Sequence, residues 1–300
     1  MYKRQVAQVA KEGFNLSMEA ISEIIEASRL LGETPAQITK GLKDFYGLSL
    51  DQIVSALKLA EYSIEEVVDG IKEAYHLSDK AVTDILRNAG YTTSEIIKVL
   101  ESSFRLTWAE IASLLNAANF PVDQVAKGLK SAFDISEKQV TDVLKEAGHS
   151  VETITKALKS GLNISKTLAA NTLMAANYPV DQVASGIKAA YNLGETAVVE
   201  TLTKVGYFPD EVAKALQKTY GTSAEGVASV LKAAGYTVAE VTTALDWGLN
   251  LSESSINTVL EGAGYAFEEI QDVLKPLNPI NWLPGPVQSF VSNISNWNPF

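Results

Sequence analysis

An aromatic position recurs every 29 residues along most of this 300-residue chain, and this period constrains the fold more than any other feature. Its members are Tyr62, Tyr91, Phe120, His149, Tyr178, Tyr207, Tyr236 and Tyr265. The residue before each member is Gly or Asn in every copy except one, where Glu61 stands. Gly and Asn tolerate the left-handed backbone just past a helix better than other residues do. The period therefore predicts a helix end once in every 29 residues.

A new helix, called the A helix, is predicted to begin directly after this aromatic residue. Capping boxes, in which the first residue and the one three positions later cap each other, mark its start at Thr34/Gln37, Ser63/Glu66, Thr92/Glu95 and Thr237/Glu240. Two apolar columns without exception follow, Ile38, Val67, Ile96, Val125, Ile154, Val183, Val212, Val241, Ile270 and Leu42, Ile71, Leu100, Leu129, Leu158, Ile187, Leu216, Leu245, Leu274. Between these columns Gly recurs, as Gly41, Gly70, Gly128 and Gly186, which indicates close approach of a neighbouring backbone.

The A helix is predicted to end near Tyr46 and its counterparts Tyr75, Phe104, Phe133, Leu162, Tyr191, Tyr220 and Leu249. A second, B helix starts after a short turn, with Ser or Thr as its N-cap at Ser49, Ser78, Thr107, Ser136, Ser165, Ser223 and Ser252. Its apolar column is Leu in every copy, from Leu57 to Leu260. Each 29-residue unit is therefore predicted to be a helical hairpin.

Hairpins of this kind cannot bury their apolar faces alone, so they must stack on their neighbours. The sequence predicts an all-α fold, a right-handed α-solenoid of about nine stacked helix-turn-helix repeats over residues 1–275, about four fifths helical. The first copy, 1–33, is atypical, with a partial A helix near 2–13 and a three-residue insertion near 29–32. Residues 276–300 carry no charge and five of the nine prolines, and are predicted to be a Pro/Trp-rich cap or docking tail.

The junction Ala147-Gly-His-Ser-Val-Glu-Thr-Ile154 resembles the helix-to-helix junction of TAL-effector repeats, which are also helical hairpins. The resemblance covers about eight residues per unit and implies a hairpin architecture. It does not imply DNA reading, since here a minimal turn replaces the longer loop that contacts a base in TAL effectors.

Composition excludes several function classes. The net charge of −11 argues against nucleic acid as a partner, and the absence of Cys removes thiol chemistry and leaves the compartment open. No apolar run is long enough for a membrane span, and no signal peptide is recognised at the start. Both histidines, His76 and His149, fall in slots that the repeat explains, so neither a metal site nor a catalytic triad is expected.

Carboxylates at the start of the A helices are interpreted as complements of the helix dipole: Glu65, Asp123, Glu152, Asp181, Asp210 and Glu268. Lys residues near the ends of the same helices supply the opposite charge: Lys43, Lys72, Lys130, Lys159 and Lys188. With its charged residues explained in this way, the chain is expected not to be an enzyme and to need no cofactor.

Candidate binding residues are those that depart from their column without a structural reason. Trp108 stands where other repeats have Leu, Ala or charged residues, and Trp247 stands where they have Asp, Glu, Ser, Ala or Lys. Both slots are expected to face solvent beside the A-to-B turn, and an exposed Trp is a common interface anchor. In the tail, Trp282, Phe290 and Trp297 are further candidates.

Three functions follow from this pattern. The first is a non-catalytic scaffold that binds another protein through its groove or its A-to-B turn edge. The second is a self-assembling subunit, a head-to-tail filament or oligomer whose tail docks on a neighbour. The third is a toxin or membrane-associated module.

Overall fold

A computed structural model describes residues 17–274 of the chain, and helix accounts for 76% of it without a strand in this range. The helices in chain order are α1 (Met18–Leu30), α2 (Pro35–Tyr46), α3 (Leu50–Leu59), α4 (Ile64–Tyr75), α5 (Asp79–Asn88), α6 (Thr93–Phe104), α7 (Trp108–Ala117), α8 (Val122–Phe133), α9 (Glu137–Glu146), α10 (Val151–Leu162), α11 (Lys166–Ala175), α12 (Val180–Tyr191), α13 (Glu195–Val205), α14 (Pro209–Tyr220), α15 (Ala224–Ala233), α16 (Val238–Thr243), α17 (Glu253–Gly262) and α18 (Phe267–Leu274). Even-numbered helices are the predicted A helices and odd-numbered helices are the B helices. The predicted helical hairpins are therefore confirmed over this range.

Both predicted junctions contain a left-handed residue in every described copy. The slot after the B helix has positive φ from Gly32 to Gly264, and the slot after the A helix has positive φ from Gly47 to Asn250. All positive-φ residues of the described range lie in these two slots. Gly and Asn are therefore enriched in these slots because the backbone there must be left-handed. Glu61 also adopts this conformation, with φ 60°, although Glu does not favour it.

Hydrogen bonds confirm the predicted helix starts. In the capping box of α6, the Thr92 N–H donates to Glu95 Oε2 over 2.7 Å and the Glu95 N–H donates to Thr92 Oγ1 over 3.3 Å. The side-chain and backbone hydrogen bonds from Thr92 hold the pKa of Glu95 below its usual value. The seven predicted Ser and Thr N-caps of the B helices each accept a backbone hydrogen bond from the first turn.

The described residues form two compact units. One consists of residues 17–150 with Ser160–Asn163, and the other of Val151–Lys159 with residues 164–274. In the first unit the A helices α2, α4, α6 and α8 pack on one another in chain order. The B helices α1, α3, α5, α7 and α9 do the same. The second unit repeats this arrangement from α12 to α18 and from α11 to α17. Packing between sequential neighbours is that of an α-solenoid.

The core of both units is built from the predicted apolar columns. Every described member of the two A-helix columns and of the Leu57–Leu260 column is buried, with at most 5% of its surface exposed. The three-residue insertion in the first copy is taken up inside α1, which has 13 residues where α3 has 10.

The recurring Gly of the A helices has a more varied cause than predicted. At Gly70 a Cβ would lie 3.1 Å from the backbone of Pro35, so the predicted close backbone approach is confirmed there. At Gly128 the nearest atoms are instead side-chain carbons, 2.8 Å away in Ile97 and 2.9 Å in Thr93. The space that Gly leaves is therefore filled by the preceding A helix, by its backbone in one copy and its side chains in another.

Candidate functional site

Basic side chains near the ends of the A helices reach the next repeat. Lys188 Nζ donates to the carbonyl of Thr219 over 2.9 Å and lies 3.9 Å from the ring centroid of Tyr220, at the end of the next A helix. Pairs of the same kind are Lys43 with Tyr75, Lys72 with Phe104 and Lys159 with Tyr191. Each lysine therefore places its charge at the negative end of the next A helix. The sequence predicted only that it would complement the dipole of its own helix.

The B helices carry a second set of such contacts. In this set the cation and the ring are 33 residues apart in sequence, whereas in the A-helix set they are 32 residues apart. Lys58 Nζ donates to the carbonyls of Ala89 and Gly90, over 3.0 and 2.7 Å, and lies 4.3 Å from the ring centroid of Tyr91. Corresponding pairs are Arg29 with Tyr62, Arg87 with Phe120 and Lys232 with Tyr265. Burial raises the pKa of Tyr91 to about 12, so its phenol stays neutral beneath the cation.

The A-helix set is interrupted where Gln217 and Leu249 replace both the cation and the ring, and in two further places where only one of the two is replaced. Leu162 stands in the ring slot that faces Lys130, and Lys130 instead binds the carbonyl of Ile135 and, over 2.8 Å, the carboxylate of Glu137. In the other case the cation is missing, because Glu101 occupies the lysine slot one repeat before Phe133. There the indole of Trp108 stacks on Phe133, with ring centroids 5.0 Å apart and ring planes 21° apart.

Trp108 therefore lies in a slot that is less exposed than predicted. The residue that begins each B helix is half-buried in most copies. Its side chain contacts the neighbouring turn or helix, as when Glu195 accepts a hydrogen bond from Thr222 over 2.6 Å. The expectation that this slot mostly faces solvent was wrong, since all of its described members except Glu253 are half-buried. A binding role for Trp108 stays a prediction.

Beside Trp108 the first unit contains a cleft of about 440 Å³. Its walls come from the end of α6, the turn Leu106–Thr107, the start of α7 and one side of α9. Three carboxylates line it, Glu101, Asp142 and Glu146. Asp142 is bound by Lys138 over 2.6 Å, whereas no ion pair of the described residues includes Glu101 or Glu146. The cleft thus combines an indole with excess negative charge.

Trp247 is exposed, as its column predicts. Trp247 is 71% exposed, and every other described residue in this slot, from Asp44 to Lys218, is also exposed. The backbone around it is a π-helical turn, Ala244–Gly248, which continues α16. Within this turn Gly248 approaches the backbone of Asp210, whose carbonyl oxygen would lie 2.7 Å from a Cβ. No sequence signal predicted the π turn.

The remaining candidates lie outside the described residues or in structural slots. Trp282, Phe290 and Trp297, together with the tail 276–300 and the first A helix near 2–13, fall outside 17–274. His76 has the left-handed backbone predicted for it, with φ 52°. His149 is half-buried in the aromatic column, and burial lowers its pKa.

Residues 17–274 contain no cluster of His, Asp or Glu arranged to hold a metal ion. The same stretch has no helix of the length and apolarity that crossing a membrane requires.

The chain matches no protein-family model and no curated protein sequence.

Proposed function

We propose that this chain is a non-catalytic helical-repeat scaffold that binds another protein along the edge carrying the A-to-B turns. The observation that carries the proposal is the exposure of Trp247 in a column that otherwise holds only small or charged residues. A large indole gives no stability to its own repeat while it stays in solvent. Against a partner it would supply the rigid apolar contact that interface anchors provide.

The backbone beneath Trp247 supports the same proposal. A π turn is uncommon in helices and is frequent at functional positions. Here it replaces the regular end of an A helix in the copy that bears the tryptophan, whereas α14, the A helix before it, remains α-helical to Tyr220. The turn leaves the buried column unaltered, since Leu245 remains fully buried.

The contacts that charged residues make in the described range support a structural role for these residues rather than a catalytic one. The capping carboxylates are bound by backbone N–H groups, and the bridging lysines are bound by carbonyl groups of the next repeat. These groups are committed to holding successive hairpins in register. The surface they stabilise is then available for recognition.

A photo-crosslinking amino acid at position 247 tests this proposal in the cells that make the protein. The matched control carries the same group at Ala189, which occupies the same exposed slot two repeats earlier. We expect one discrete covalent complex with a different protein from position 247 and none from position 189. Crosslinks only between copies of the chain would favour self-assembly, and equal labelling from both positions would refute a binding edge centred on Trp247.

Stability measurements separate a binding residue from a packing residue. Trp247→Ser introduces the residue found at Ser102, Ser131 and Ser160 in this slot. We expect the free energy of unfolding to change by no more than about 0.5 kcal/mol, as for other exposed positions. The crosslinked partner should bind this variant at least about tenfold more weakly, as expected for loss of a hot-spot residue.

A further inference from the structure

We propose that the cleft beside Trp108 binds an arginine or lysine side chain of a basic peptide segment. This inference rests on the proposed scaffold function and gives the chemistry of one partner contact. It concerns the first unit alone, and its evidence is independent of Trp247.

The fold itself shows how this chain binds cations. In eight described places a Lys or Arg lies over an aromatic ring of the next repeat, with distances to the ring centroid from 3.8 to 5.1 Å. Several of these cations also donate to backbone carbonyls, as Lys58 and Lys188 do. An aromatic face beside oxygen acceptors is thus a cation site that the repeat builds many times for its own side chains.

The cleft at Trp108 is the variation on this site in which the chain's own cation is missing. Glu101 occupies the slot that holds lysine in the two neighbouring repeats, at Lys72 and Lys130. The change replaces a positive by a negative charge next to an added aromatic residue. One face of the Trp108 indole is stacked on Phe133, while the residue also lines the cleft.

Carboxylates on the opposite wall extend the negative charge. Asp142 and Glu146 lie one turn apart on α9 and line the cleft with Glu101. Lys138 neutralises only Asp142. The equivalent positions one repeat earlier are Ser113 and Ala117, so the repeat does not require acidic residues here. A guanidinium or ammonium group would have an indole beside it and two carboxylates without ion-pair partners.

The same features decide between classes of ligand. An anion would be repelled by three carboxylates. A purely apolar segment would leave Glu101 and Glu146 partly desolvated without a partner, which is costly. A long basic side chain meets both demands, because its methylene stem packs on the indole while its charged end reaches the carboxylates. The cleft is large enough, at about 440 Å³, for one such side chain.

A pair of blocked tripeptides tests the proposal on the full chain. The first probe is acetyl-Gly-Arg-Gly-amide, and the second has citrulline in place of arginine, which keeps the shape and removes the charge. The readout is the indole N–H resonance of Trp108, identified by its loss in Trp108→Leu, which introduces the residue of the same slot at Leu50. We expect saturable shifts with the arginine probe and at least about tenfold weaker binding of the citrulline probe.

Two charge variants separate the cleft from the general acidity of the chain. Glu101→Lys restores the residue of the neighbouring repeats, so it is compatible with the fold, and should weaken the arginine probe at least about tenfold. Glu73→Lys makes the same charge change at an exposed position of α4 and should change the affinity less than about twofold. Equal loss in both variants, equal binding of the two probes, or no saturable shift would overturn the proposal. These results do not involve position 247, so they leave the test of the scaffold function intact.

Discussion

The contact between Lys188 and Tyr220 is predicted to contribute measurably to the coupling of successive repeats. Lys188 Nζ lies 2.9 Å from the Thr219 carbonyl and 3.9 Å from the ring centroid of Tyr220. A hydrogen bond from a charged group contributes about 1.5–3 kcal/mol, and a cation over a ring about 0.5–1 kcal/mol where it is exposed. Because Lys188 is half-buried, the lower ends of these ranges apply, and Lys188→Met should cost about 1.5–2 kcal/mol.

A double-mutant cycle isolates the share that belongs to the ring. Tyr220→Leu introduces the residue found in this slot at Leu162 and Leu249. The coupling free energy between Lys188→Met and Tyr220→Leu should be about 0.5–1 kcal/mol, measured by urea unfolding followed by far-ultraviolet circular dichroism. Unfolding curves should be fitted with neighbouring-repeat terms, because long repeat arrays depart from two-state behaviour.

Tyr220→Phe provides the control for the hydroxyl group. The Tyr220 hydroxyl donates to the carbonyl of Leu193 over 2.8 Å, so replacing Tyr by Leu removes two contacts at once. Phe keeps the ring, as at Phe104, which lies 3.8 Å from Lys72 Nζ. The coupling with Lys188→Met should therefore persist in Tyr220→Phe. A coupling near zero with Leu, or one that disappears already with Phe, would refute the cation-ring explanation.

Three further substitutions test other parts of the fold. Glu61→Gly should raise the free energy of unfolding by about 0.5–1 kcal/mol in urea titrations, because it relieves the left-handed strain of a side chain at φ 60°; no gain would refute that strain. Burial lowers the pKa of His149, so the unfolded state takes up more protons below about pH 6.5 and stability should fall as the pH falls through that window; His149→Tyr should remove this slope, measured by melting temperature against pH. Thr237→Ala removes the N-cap that accepts from the Glu240 N–H over 3.3 Å and should cost about 1 kcal/mol in urea unfolding, and a neutral result would contradict the capping role.

Most of the fold was predictable because each slot of the repeat makes a separate local demand. A left-handed residue must follow each helix, an oxygen-bearing side chain must precede it, and an apolar residue must face the core. Each demand is met by few residue types, so the 29-residue column displays it directly. Glu61 shows the limit of this reasoning, since its slot imposes the backbone conformation even where the residue does not favour it.

The cation–ring contacts between repeats were not predicted, although the sequence contains a signal for them. Lys72 has a sufficient local explanation in the dipole of its own helix, and Phe104 has one as the last residue of the next helix. Only their constant separation of 32 residues connects them, and the separation of 33 residues between Lys58 and Tyr91 does the same for the B helices. Comparing slots across neighbouring repeats, rather than within one, would have found both sets.

The exposure of Trp108 was mispredicted for a related physical reason. Its slot holds several charged residues, which usually indicate solvent exposure, yet two of them reach neighbouring groups. Glu137 forms an ion pair with Lys130 at 2.8 Å, and Glu195 accepts a hydrogen bond from Thr222 over 2.6 Å. The polarity of the residues in this slot therefore did not predict their solvent exposure. The Trp247 slot holds residues of similar polarity, and there all described members are exposed.

At position 101, the residue that favours stability is expected to differ from the residue that favours binding of a ligand. Near the C-terminus of α6 a carboxylate faces the negative end of the helix dipole, an unfavourable position by about 0.3–1 kcal/mol. The neighbouring repeats show that lysine fits this slot and gains a contact with the next helix there, as Lys72 does with Phe104. The repeat that has Glu101 in place of lysine is less stable for it, and packing does not explain the substitution. Substitutions of this kind are expected at functional positions. Because the same repeat also carries Trp108, and the next repeat places Asp142 and Glu146 in the same cleft, the departure of Glu101 is more consistent with a cation-binding surface than with drift at a single position.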